Sequence, residues 1–424
     1  METATSRKTL EEEQARRLRR MLETILPANE FYRRQFARAD VERIDSLEQL
    51  GKLPFTTKSE LVQDQQDHPP FGSDLTFSLE RYIRIHQTSG TTGKPLYWLD
   101  TAESWQWWAE CWKVIFQAAG VGPGDRIFFA FSFGPFIGFW SGWEGARELG
   151  ALAISGGAQS TAQRLKAIID CGATVLVCTP TYALHMASEA KKAGMDLAKE
   201  SAIEITIHAG EPGASIPSTK KMIEESWGGR CFDHPGATEV GAFGFQCEFR
   251  SAGVHVNENE FIAEVIDPAT GAAIRDGEKG ELVITNLGRI GSPVIRYRTG
   301  DLVQPSHEPC PCGRPFLLLK SGVLGRLDDM VIVRGVNVFP SAIENVMREF
   351  PEIEEFRIET FERQAMRELK LVIEPSSNQS SMAGLPEKVA GLVRQRIGLR
   401  PEVELVAPGT LPRFELKAKR FFKL

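Results

Sequence analysis

One stretch of this sequence combines residue types that bind phosphate. The segment 88–95, TSGTTGKP, follows an alternating stretch, 82–86, that is typical of a strand. Its glycines and hydroxyl side chains could surround phosphate oxygens, because backbone N–H groups in such a loop converge on an anion. The glycines are too close together for a P-loop, and Pro95 follows the lysine where Ser or Thr would bind magnesium. An ordinary polar turn is the alternative.

A second candidate site is built from cysteine and histidine. A Cys-x-Cys turn can present two thiolates to one tetrahedral zinc, and an upstream cysteine and histidine could complete the ligand set. The four residues are Cys247, His255, Cys310 and Cys312. Two alternatives are His307 as a ligand and a set of unpaired thiols without metal. Three other cysteines in helix- or strand-like segments are predicted to be buried: Cys111, Cys171 and Cys178.

Composition limits the class of protein. The chain has 424 residues, with 42% hydrophobic and 25% charged side chains, which suggests two to three globular domains. A formal net charge of -6 argues against a nucleic-acid-binding protein, which would need a basic face. We find no signal peptide and no run of 18 apolar residues, so a cytoplasmic protein without a membrane partner is expected.

Strand-like and helix-like segments alternate between about 80 and 235. Buried strands are predicted at 126–131, 151–154, 174–178 and 204–208, and helices at 101–119, 160–170, 180–194 and 215–227. This alternation indicates βαβ units and parallel sheets with helices on both faces. Upstream, apolar residues at helical spacing among charges predict one amphipathic surface helix over 9–36.

The remainder of the chain differs in pattern. Short strands predicted at 261–266, 281–285 and 294–297 are joined by Gly, Asp and Pro turns, which is typical of an antiparallel sheet or a distorted barrel. The last hundred residues predict another α/β unit, with strands at 331–333 and 369–373 and helices at 341–349 and 385–396. No core element is predicted after Pro408.

Five motifs, in order, resemble those of the adenylate-forming superfamily of acyl- and aryl-CoA ligases, peptide-synthetase adenylation domains and luciferases. They are 88–95, 236–239 (GATE), 297–301 (YRTGD), 325–329 (GRLDD) and Lys417. The sequences of 210–213 (GEPG) and 334–340 (RGVNVFP), together with the short chain length, resemble those of the phenylacetate-CoA ligase branch. The resemblance covers about residues 20–420.

The resemblance implies an α/β fold in two parts. A large N-terminal domain of several subdomains, 1–327, would contain parallel sheets and a small β-barrel-like part, and would bind AMP and the acyl group. A small mobile C-terminal α/β domain, 328–424, would act as a lid that swings about Asp328. The segment 334–337 would line the thiol tunnel.

The resemblance also implies catalytic and nucleotide-binding residues. Thr238 and Lys417 would contact the reacting phosphate and carboxylate, Glu239 would hold magnesium, and Asp301 with Arg326 would bind the ribose. The other implied nucleotide-binding residues are Ser89, Gly90, Thr91, Thr92, Gly93, Lys94, Gly210, Glu211, Pro212, Asp233, His234 and Pro235.

Each of these motifs has a simpler interpretation when taken alone. Thr238 and Glu239 could form a helix N-cap, Asp301 could be a turn aspartate, and Lys417 could belong to a basic tail in which Lys419 competes for its role. The sequence also departs from the family pattern at two positions. Pro235 replaces the aromatic residue that usually stacks on adenine, and Leu416 replaces a glycine before the lysine.

An aromatic segment suggests the acid. A wall of rings relieved by glycine suits a flat acyl group, although ordinary hydrophobic core is the alternative. The implied acyl-binding residues are Phe131, Phe133, Gly134, Phe136, Ile137, Tyr182, Ala209 and Gly236.

The implied reaction is the ATP-dependent activation of an aryl or arylacetyl acid to acyl-AMP, followed by thioester formation with coenzyme A. The ligands would be ATP/AMP, Mg²⁺, coenzyme A and a structural Zn²⁺. Two alternatives are an enzyme that loads a carrier-protein thiol and a nucleotide-binding relative without catalysis. A homodimer is left open.

Overall fold

A computed structural model of the chain describes residues 6–39, 44, 46–88, 95–334, 336–363, 366–376, 384–414 and 418–424. Its α-helices are α1 (Arg7–Ala28), α2 (Glu30–Ala39), α3 (Lys58–Asp67), α4 (Ala102–Ala118), α5 (Ile137–Leu149), α6 (Thr161–Asp170), α7 (Pro180–Lys192), α8 (Leu197–Glu200), α9 (Pro217–Trp227), α10 (Pro340–Met347) and α11 (Leu385–Ile397). Short 3-10 helices span Leu47–Lys52 and Leu79–Arg81.

The strands of the first part are β1 (Tyr82–Gln87), β2 (Tyr97–Thr101), β3 (Arg126–Phe129), β4 (Leu152–Ser155), β5 (Val175–Cys178), β6 (Ile205–His208), β7 (Arg230–Asp233), β8 (Gly244–Phe245), β9 (Val254–Val256), β10 (Phe261–Ile266), β11 (Gly280–Asn286), β12 (Tyr297–Val303), β13 (Pro305–Ser306), β14 (Leu318–Leu319) and β15 (Gly325–Arg326). Those of the second part are β16 (Val331–Val333), β17 (Val336–Val338), β18 (Ile353–Arg363), β19 (Met366–Pro375), β20 (Glu402–Leu405) and β21 (Phe421–Lys423).

A five-stranded parallel sheet, in the order β4-β3-β5-β6-β7, forms the centre of the first part. Successive side chains of a strand point to opposite faces. Ile127, Phe129 and Val177 accordingly join one buried cluster, whereas Phe128 and Leu176 join a second cluster on the other face. The predicted parallel α/β architecture is therefore confirmed.

Two details of this sheet differ from the prediction. The strand expected over 151–154 is β4, which lies at the sheet edge, and Leu152 is 59% exposed rather than buried. At the opposite edge, β7 was not predicted, because its sequence, RCFD, carries charges at both ends. Edge strands pack on fewer neighbours, so their hydrophobic pattern is weaker.

Two four-stranded antiparallel sheets follow, in the orders β10-β11-β12-β15 and β13-β14-β9-β8. The strand expected at 294–297 was placed too early, because β12 begins only at Tyr297. Residues 292–296 instead form a loop whose Arg296 has a positive φ of 47°. Asp301 lies within β12, so the alternative of a turn aspartate is wrong.

The amphipathic segment at the start of the chain is two helices rather than one surface helix. Asn29 separates α1 from α2, and its side-chain oxygen accepts a hydrogen bond from Tyr32 N (3.1 Å). Leu18 and Ile25 are fully buried in the main core. The helical spacing was read correctly, but its apolar face packs against the body of the protein.

The second part is a separate small α/β unit. Its sheet has the order β20-β19-β18-β21, and its own core includes Ile343, Ile358 and Leu371. β21 pairs in parallel with β18, so the tail beyond Pro408 does contribute a core element. β15 still pairs with β12 of the first part, which is compatible with a boundary at 327/328, although that boundary stays a prediction. No helix among the described residues is long and apolar enough to cross a membrane.

Candidate active site

The Gly-Ala-Thr-Glu motif forms a tight turn after β7. Ala237 N donates to Gly241 O (3.1 Å) and Gly241 N donates to Ala237 O (2.9 Å), and no helix follows. Thr238 and Glu239 are therefore not a helix N-cap. Arg289 stabilises this turn, because its Nη1 atom donates a hydrogen bond to Thr238 O (2.5 Å).

Arg289 is itself fixed by a buried ion pair. Its Nε and Nη2 atoms donate to the two carboxylate oxygens of Asp100 at 2.7 and 2.6 Å, and both side chains are fully buried. Such a bidentate pair fixes the guanidinium plane and therefore the carbonyl that it holds. Neither residue was identified from the sequence, since they are 189 positions apart and belong to no local motif.

Glu239 lies close to a lysine that the sequence did not single out. Lys58 Nζ is 3.2 Å from Glu239 Oε1, and Tyr297 Oη donates to the same oxygen (3.3 Å). Lys58 opens α3, which is pinned to the site because Thr56 N donates to Arg296 O (3.0 Å). The capping box of Thr57 and Glu60 could have predicted where this helix begins, but not that its first residue faces a carboxylate.

Asp301 and Arg326 come together across neighbouring strands. They are directly paired in β12 and β15, and Arg326 Nη1 lies 3.3 Å from Asp301 Oδ1. Gly300 has a φ of +74°, and a Cβ atom there would lie 3.1 Å from Arg326 Nη2. Arg326 also binds Asp328 (Nε–Oδ1 2.9 Å). Burial lowers the Arg326 pKa, but these two carboxylates outweigh it, so the pKa is raised overall.

Residues of β12 contact both Glu239 and Arg326. Tyr297 and Asp301 both belong to β12, which is irregular between them: its register with β11 shifts after Arg298, and Gly300 has a positive φ. Tyr297 contacts Glu239 at one end, and Asp301 contacts Arg326 at the other. β12 therefore connects the surroundings of the Glu239 carboxylate with the Asp301–Arg326 pair.

The Ser/Thr/Gly loop itself, including Ser89, Gly90, Thr91, Thr92, Gly93 and Lys94, lies outside the described residues, as does Lys417. The residues that flank the loop are described. Thr88 N donates to Leu96 O (3.0 Å), and Leu96 N donates to Thr88 Oγ1 (3.0 Å). Gln87 N donates to Pro135 O (3.0 Å). The two residues that flank the loop, Thr88 and Leu96, are therefore hydrogen-bonded to each other. Gln87 attaches this point to Pro135, in the aromatic segment 131–137.

Glu211 of the 210–213 motif uses both carboxylate oxygens. Oε1 accepts from Thr181 N (2.9 Å) at the start of α7, and Oε2 accepts from Ala418 N (2.9 Å) in the C-terminal part. Gly210, before it, has a φ of +92°, and Pro212, after it, lines a small cleft together with Pro180. Glu211 thus contacts the residue that follows Lys417 in the chain.

The residues at the end of β7 are partly core. Ser215 Oγ donates to Asp233 Oδ2, and burial raises the pKa of this carboxyl to about 6. His234 is buried edge-on against Trp112, its Nδ1 lies 2.6 Å from Gly244 O, and burial lowers its pKa to about 4. Pro235 lies against Gly244, where a Cβ atom would be 2.6 Å from its ring.

Two residues of the predicted acyl wall, Phe131 and Phe133, lie in an aromatic cluster. Phe131 is buried and stacks on Phe139 with ring centroids 3.9 Å apart, and Phe133 lies 4.6 Å from Trp140. Trp140 also donates to Gly134 O (2.9 Å). Phe136 is 45% exposed, whereas Ile137 beside it is buried. Phe139, Trp140 and Trp143 were not predicted, because only the helical path of α5 brings these rings against Phe131 and Phe133.

The other predicted acyl-binding residues are far from this aromatic cluster in the sequence. They are Tyr182, Ala209 and Gly236. Tyr182 is fully buried in the second core cluster, and its hydroxyl accepts from Arg164 Nη1 (2.6 Å). Gly236 is exposed, above the His234 ring. Ala209 follows the end of β6 and is half-buried.

The four candidate zinc ligands converge. Their ligand atoms all lie within 4.8 Å of one another, with Cys247 Sγ 3.6 Å from Cys310 Sγ and Cys312 Sγ 3.7 Å from His255 Nε2. A tetrahedral ion bound at about 2.3 Å by sulfur separates two sulfurs by about 3.7 Å, so the spacing fits zinc. His307 is not part of the cluster, because its Nδ1 lies 2.9 Å from Asp276 Oδ1.

The remaining cysteines correct one prediction. Cys111 and Cys178 are buried as expected, but Cys171 is exposed because it caps the C-terminus of α6 at the surface. Cys231, which was not assigned, is buried in β7.

Comparisons with known proteins agree with this geometry. Residues 335–424 match the family model described as the AMP-binding enzyme C-terminal domain. The phenylacetate-coenzyme A ligase of Thermus thermophilus is 32% identical over 95% of this chain and 93% of its own. A crystal structure of 2-hydroxyisobutyryl-CoA ligase in the postadenylation state with 2-HIB-AMP covers 99% of this chain and 90% of its own, at 28% identity and a TM-score of 0.93.

A second structure of that ligase compares differently. In complex with 2-HIB-AMP and CoA in the thioesterification state, it covers 99% of this chain and 91% of its own at 30% identity, but the TM-score is 0.75. The arrangement of the two parts described here is thus closer to the postadenylation structure. With the identity and coverage of the Thermus relative, we conclude that this chain belongs to the phenylacetate-CoA ligase family of AMP-forming acid–thiol ligases, within the adenylate-forming superfamily.

Proposed function

We propose that this protein activates an aromatic carboxylic acid with ATP and transfers the acyl group to coenzyme A. The observation that carries the proposal is the ring cluster of Phe131, Phe133, Phe139 and Trp140, next to the base of the Ser/Thr/Gly loop. Aromatic side chains favour a flat apolar acyl group. Relatives named for phenylacetate support an aromatic acid, and coenzyme A in their names supports that thiol over a carrier protein.

The nucleotide would lie along β12. Asp301 would accept the ribose hydroxyls, with Arg326 beside it, and Lys58 would neutralise part of the triphosphate charge near Glu239. A carboxylate such as Glu239 suits Mg²⁺, which would offset phosphate charge when bound. The Thr238 hydroxyl would contact the α-phosphate from the turn that Arg289 stabilises.

In the first half-reaction, a carboxylate oxygen of the acid attacks the α-phosphorus. The bond from that phosphorus to the oxygen bridging to the β-phosphate breaks, and pyrophosphate leaves with the electron pair. Negative charge builds up on the transferring group, so a cation held there lowers the barrier. We assign that role to Lys417.

In the second half-reaction, the thiolate of coenzyme A attacks the acyl carbon and AMP leaves with the electrons of the acyl–oxygen bond. We propose that the C-terminal part, 328–424, reorients about Asp328 before this step and brings 334–337 to the thiol. In the arrangement described here, Arg334 pairs with Glu368 of the same unit (Nε–Oε1 2.9 Å).

We also propose a structural zinc at Cys247, His255, Cys310 and Cys312. The ion would connect the turn at 310–313 to the β8–β9 pair, which lies more than 50 residues earlier in the chain. Closed sets of four protein ligands are typical of structural rather than catalytic zinc, so no catalytic step is assigned to it.

The proposal can be tested by measuring pyrophosphate release and thioester formation with a panel of acids. Benzoates, phenylacetates and aminobenzoates are compared with 2-hydroxyisobutyrate, with and without coenzyme A, and a reaction lacking acid is the control. We expect release that depends on an aromatic acid and a thioester that depends on coenzyme A. Activity with 2-hydroxyisobutyrate and none with any aromatic acid would refute the proposed substrate class.

A further inference from the structure

Glu211 links the two parts of the molecule at a functionally sensitive point. Its Oε2 accepts a hydrogen bond from Ala418 N (2.9 Å), and Ala418 directly follows Lys417 in the chain. The Ala418 nitrogen is bonded covalently to the carbonyl carbon of Lys417, so this hydrogen bond acts on the peptide unit that joins the two residues. The family resemblance implies that Glu211 binds the nucleotide; in the structure both of its carboxylate oxygens accept hydrogen bonds from backbone N–H groups.

The other carboxylate oxygen is anchored to a rigid element. Glu211 Oε1 accepts from Thr181 N (2.9 Å), the second residue of α7. The first N–H groups of a helix have no partner within the helix, and the helix dipole favours a negative charge there. Glu211 is therefore fixed in the N-terminal part whether or not Ala418 is present.

Arg420 makes a second contact between the two parts at the same place. It forms a bidentate ion pair with Glu355 of the C-terminal unit (2.6 and 3.0 Å), and its Nη1 also donates to Thr181 Oγ1 (3.2 Å). Arg420 is only 3% exposed, and its carbonyl accepts from Ile358 N (2.7 Å). The segment 418–420 is thus held between the C-terminal sheet and the start of α7.

We propose that Glu211 is a positioning residue for adenylation, which holds the segment following Lys417 against the start of α7 in this arrangement of the two parts. The inference rests on the proposed function, since it assigns Lys417 to the first half-reaction. Both hydrogen bonds are charge-assisted and direct. Because Thr181 belongs to the N-terminal part and Ala418 to the C-terminal part, reorientation of the second part breaks the contact to Ala418 and leaves the one to Thr181.

The two half-reactions should therefore respond differently to Glu211→Gln, which keeps the shape but removes the charge and one acceptor. We expect acid-dependent ATP–pyrophosphate exchange to fall roughly 10- to 100-fold, as for loss of a positioning contact. Thioester formation from synthetic acyl-adenylate and coenzyme A should change less than about threefold. Glu354→Gln is the matched control, because Glu354 also lies between the two parts, where Ser188 Oγ donates to it (2.9 Å), and it should change exchange less than about threefold.

A coupling test separates positioning from a general structural role. In single-turnover acyl-adenylate formation, Glu211→Gln should cause no further loss in a Lys417→Ala background, because the group that it positions is absent. Ala418→Pro removes the donor N–H without touching the N-terminal part, and should reproduce the same split between half-reactions, whereas Ala418→Gly should not.

Equal losses in both half-reactions, unchanged exchange in Glu211→Gln and Ala418→Pro, or additive losses with Lys417→Ala would each overturn the inference. Failure of the wild-type enzyme to exchange pyrophosphate with any acid would instead refute the proposed function, so the two failures are distinguishable.

Discussion

Lys58 Nζ lies 3.2 Å from Glu239 Oε1, which joins the first residue of α3 to the Gly-Ala-Thr-Glu turn. The two residues are far apart in the chain, and the contact exists because backbone hydrogen bonds attach Thr56 to the start of β12. A cation and a carboxylate so close form an ion pair beside β12, along which we propose that the nucleotide binds. The pair supports a role for Lys58 in binding phosphate.

Lys58→Gln should therefore weaken ATP binding. Removing the cation leaves the phosphate charge less compensated, so we expect the KM for ATP to rise about 10-fold or more, with a smaller effect on the KM for the acid. Steady-state pyrophosphate release at varied ATP measures this. Lys199→Gln, at a lysine that is 83% exposed and pairs with Asp196, is the control. An unchanged KM for ATP would show that Lys58 only pairs with Glu239.

Asp301→Asn tests the ribose assignment. The amide retains the shape of the side chain but accepts hydrogen bonds less strongly, so the KM for ATP should rise roughly 10-fold. 2′-Deoxy-ATP should be a poorer substrate than ATP for the wild-type protein, and this difference should shrink in the variant. Asp276→Asn, at a surface pair with His307, serves as the comparison. A full 2′-deoxy penalty retained in Asp301→Asn would argue against ribose contact.

Arg289→Met should destabilise the protein strongly. It leaves Asp100 buried without its partner, which costs about 3–5 kcal/mol, whereas the double variant with Asp100→Leu should cost less than the single change. Chemical denaturation measures the free energy of unfolding. Arg230→Met, which breaks an exposed pair with Glu248, should cost less than about 1 kcal/mol. Equal losses for the two arginines would contradict the role of burial.

Purified protein should contain about one zinc per chain, and Cys312→Ser should lower that content. The variant should also melt at a lower temperature, because metal binding to the native state adds to its stability. Cys171→Ser removes an exposed thiol and should change neither zinc content nor melting temperature. Metal analysis and thermal unfolding supply both readouts; zinc-free wild-type protein would exclude the site.

Asp74 should make stability depend on pH. Burial, reinforced by the nearby Asp64, raises the pKa of its carboxyl to about 7, whereas an unfolded aspartate titrates near 3.9. The contribution of the protonated Asp74 carboxyl to the free energy of unfolding is fully present below pH 4. It is lost as the pH rises from 4 through about 7. Between pH 5 and 8 the wild type should lose roughly 1–3 kcal/mol more than Asp74→Asn. Asp67→Asn, at an exposed site, should follow the wild-type curve.

Several features of this protein could be predicted from local sequence. Strands β3, β5 and β6 were predicted because parallel strands buried on both faces are continuous apolar runs, and the helices between them have a clear 3.6-residue period. Motifs such as 236–239 and 297–301 identified the family, because they need specific residue types at a fixed spacing. The four zinc-ligand candidates were likewise found from residue type alone.

The tertiary structure decided which side chains meet. Lys58 with Glu239, Arg289 with Asp100 and Glu211 with Ala418 are each separated by more than 180 positions, and no local pattern carries information about such a contact. The exposure of β4 and the existence of β21 were not predicted for a related reason, since an edge strand pairs with one neighbour only and needs little hydrophobic sequence of its own. Sequence thus determined the elements and the chemistry available, whereas packing of distant segments decided which charges pair and which backbone groups they hold.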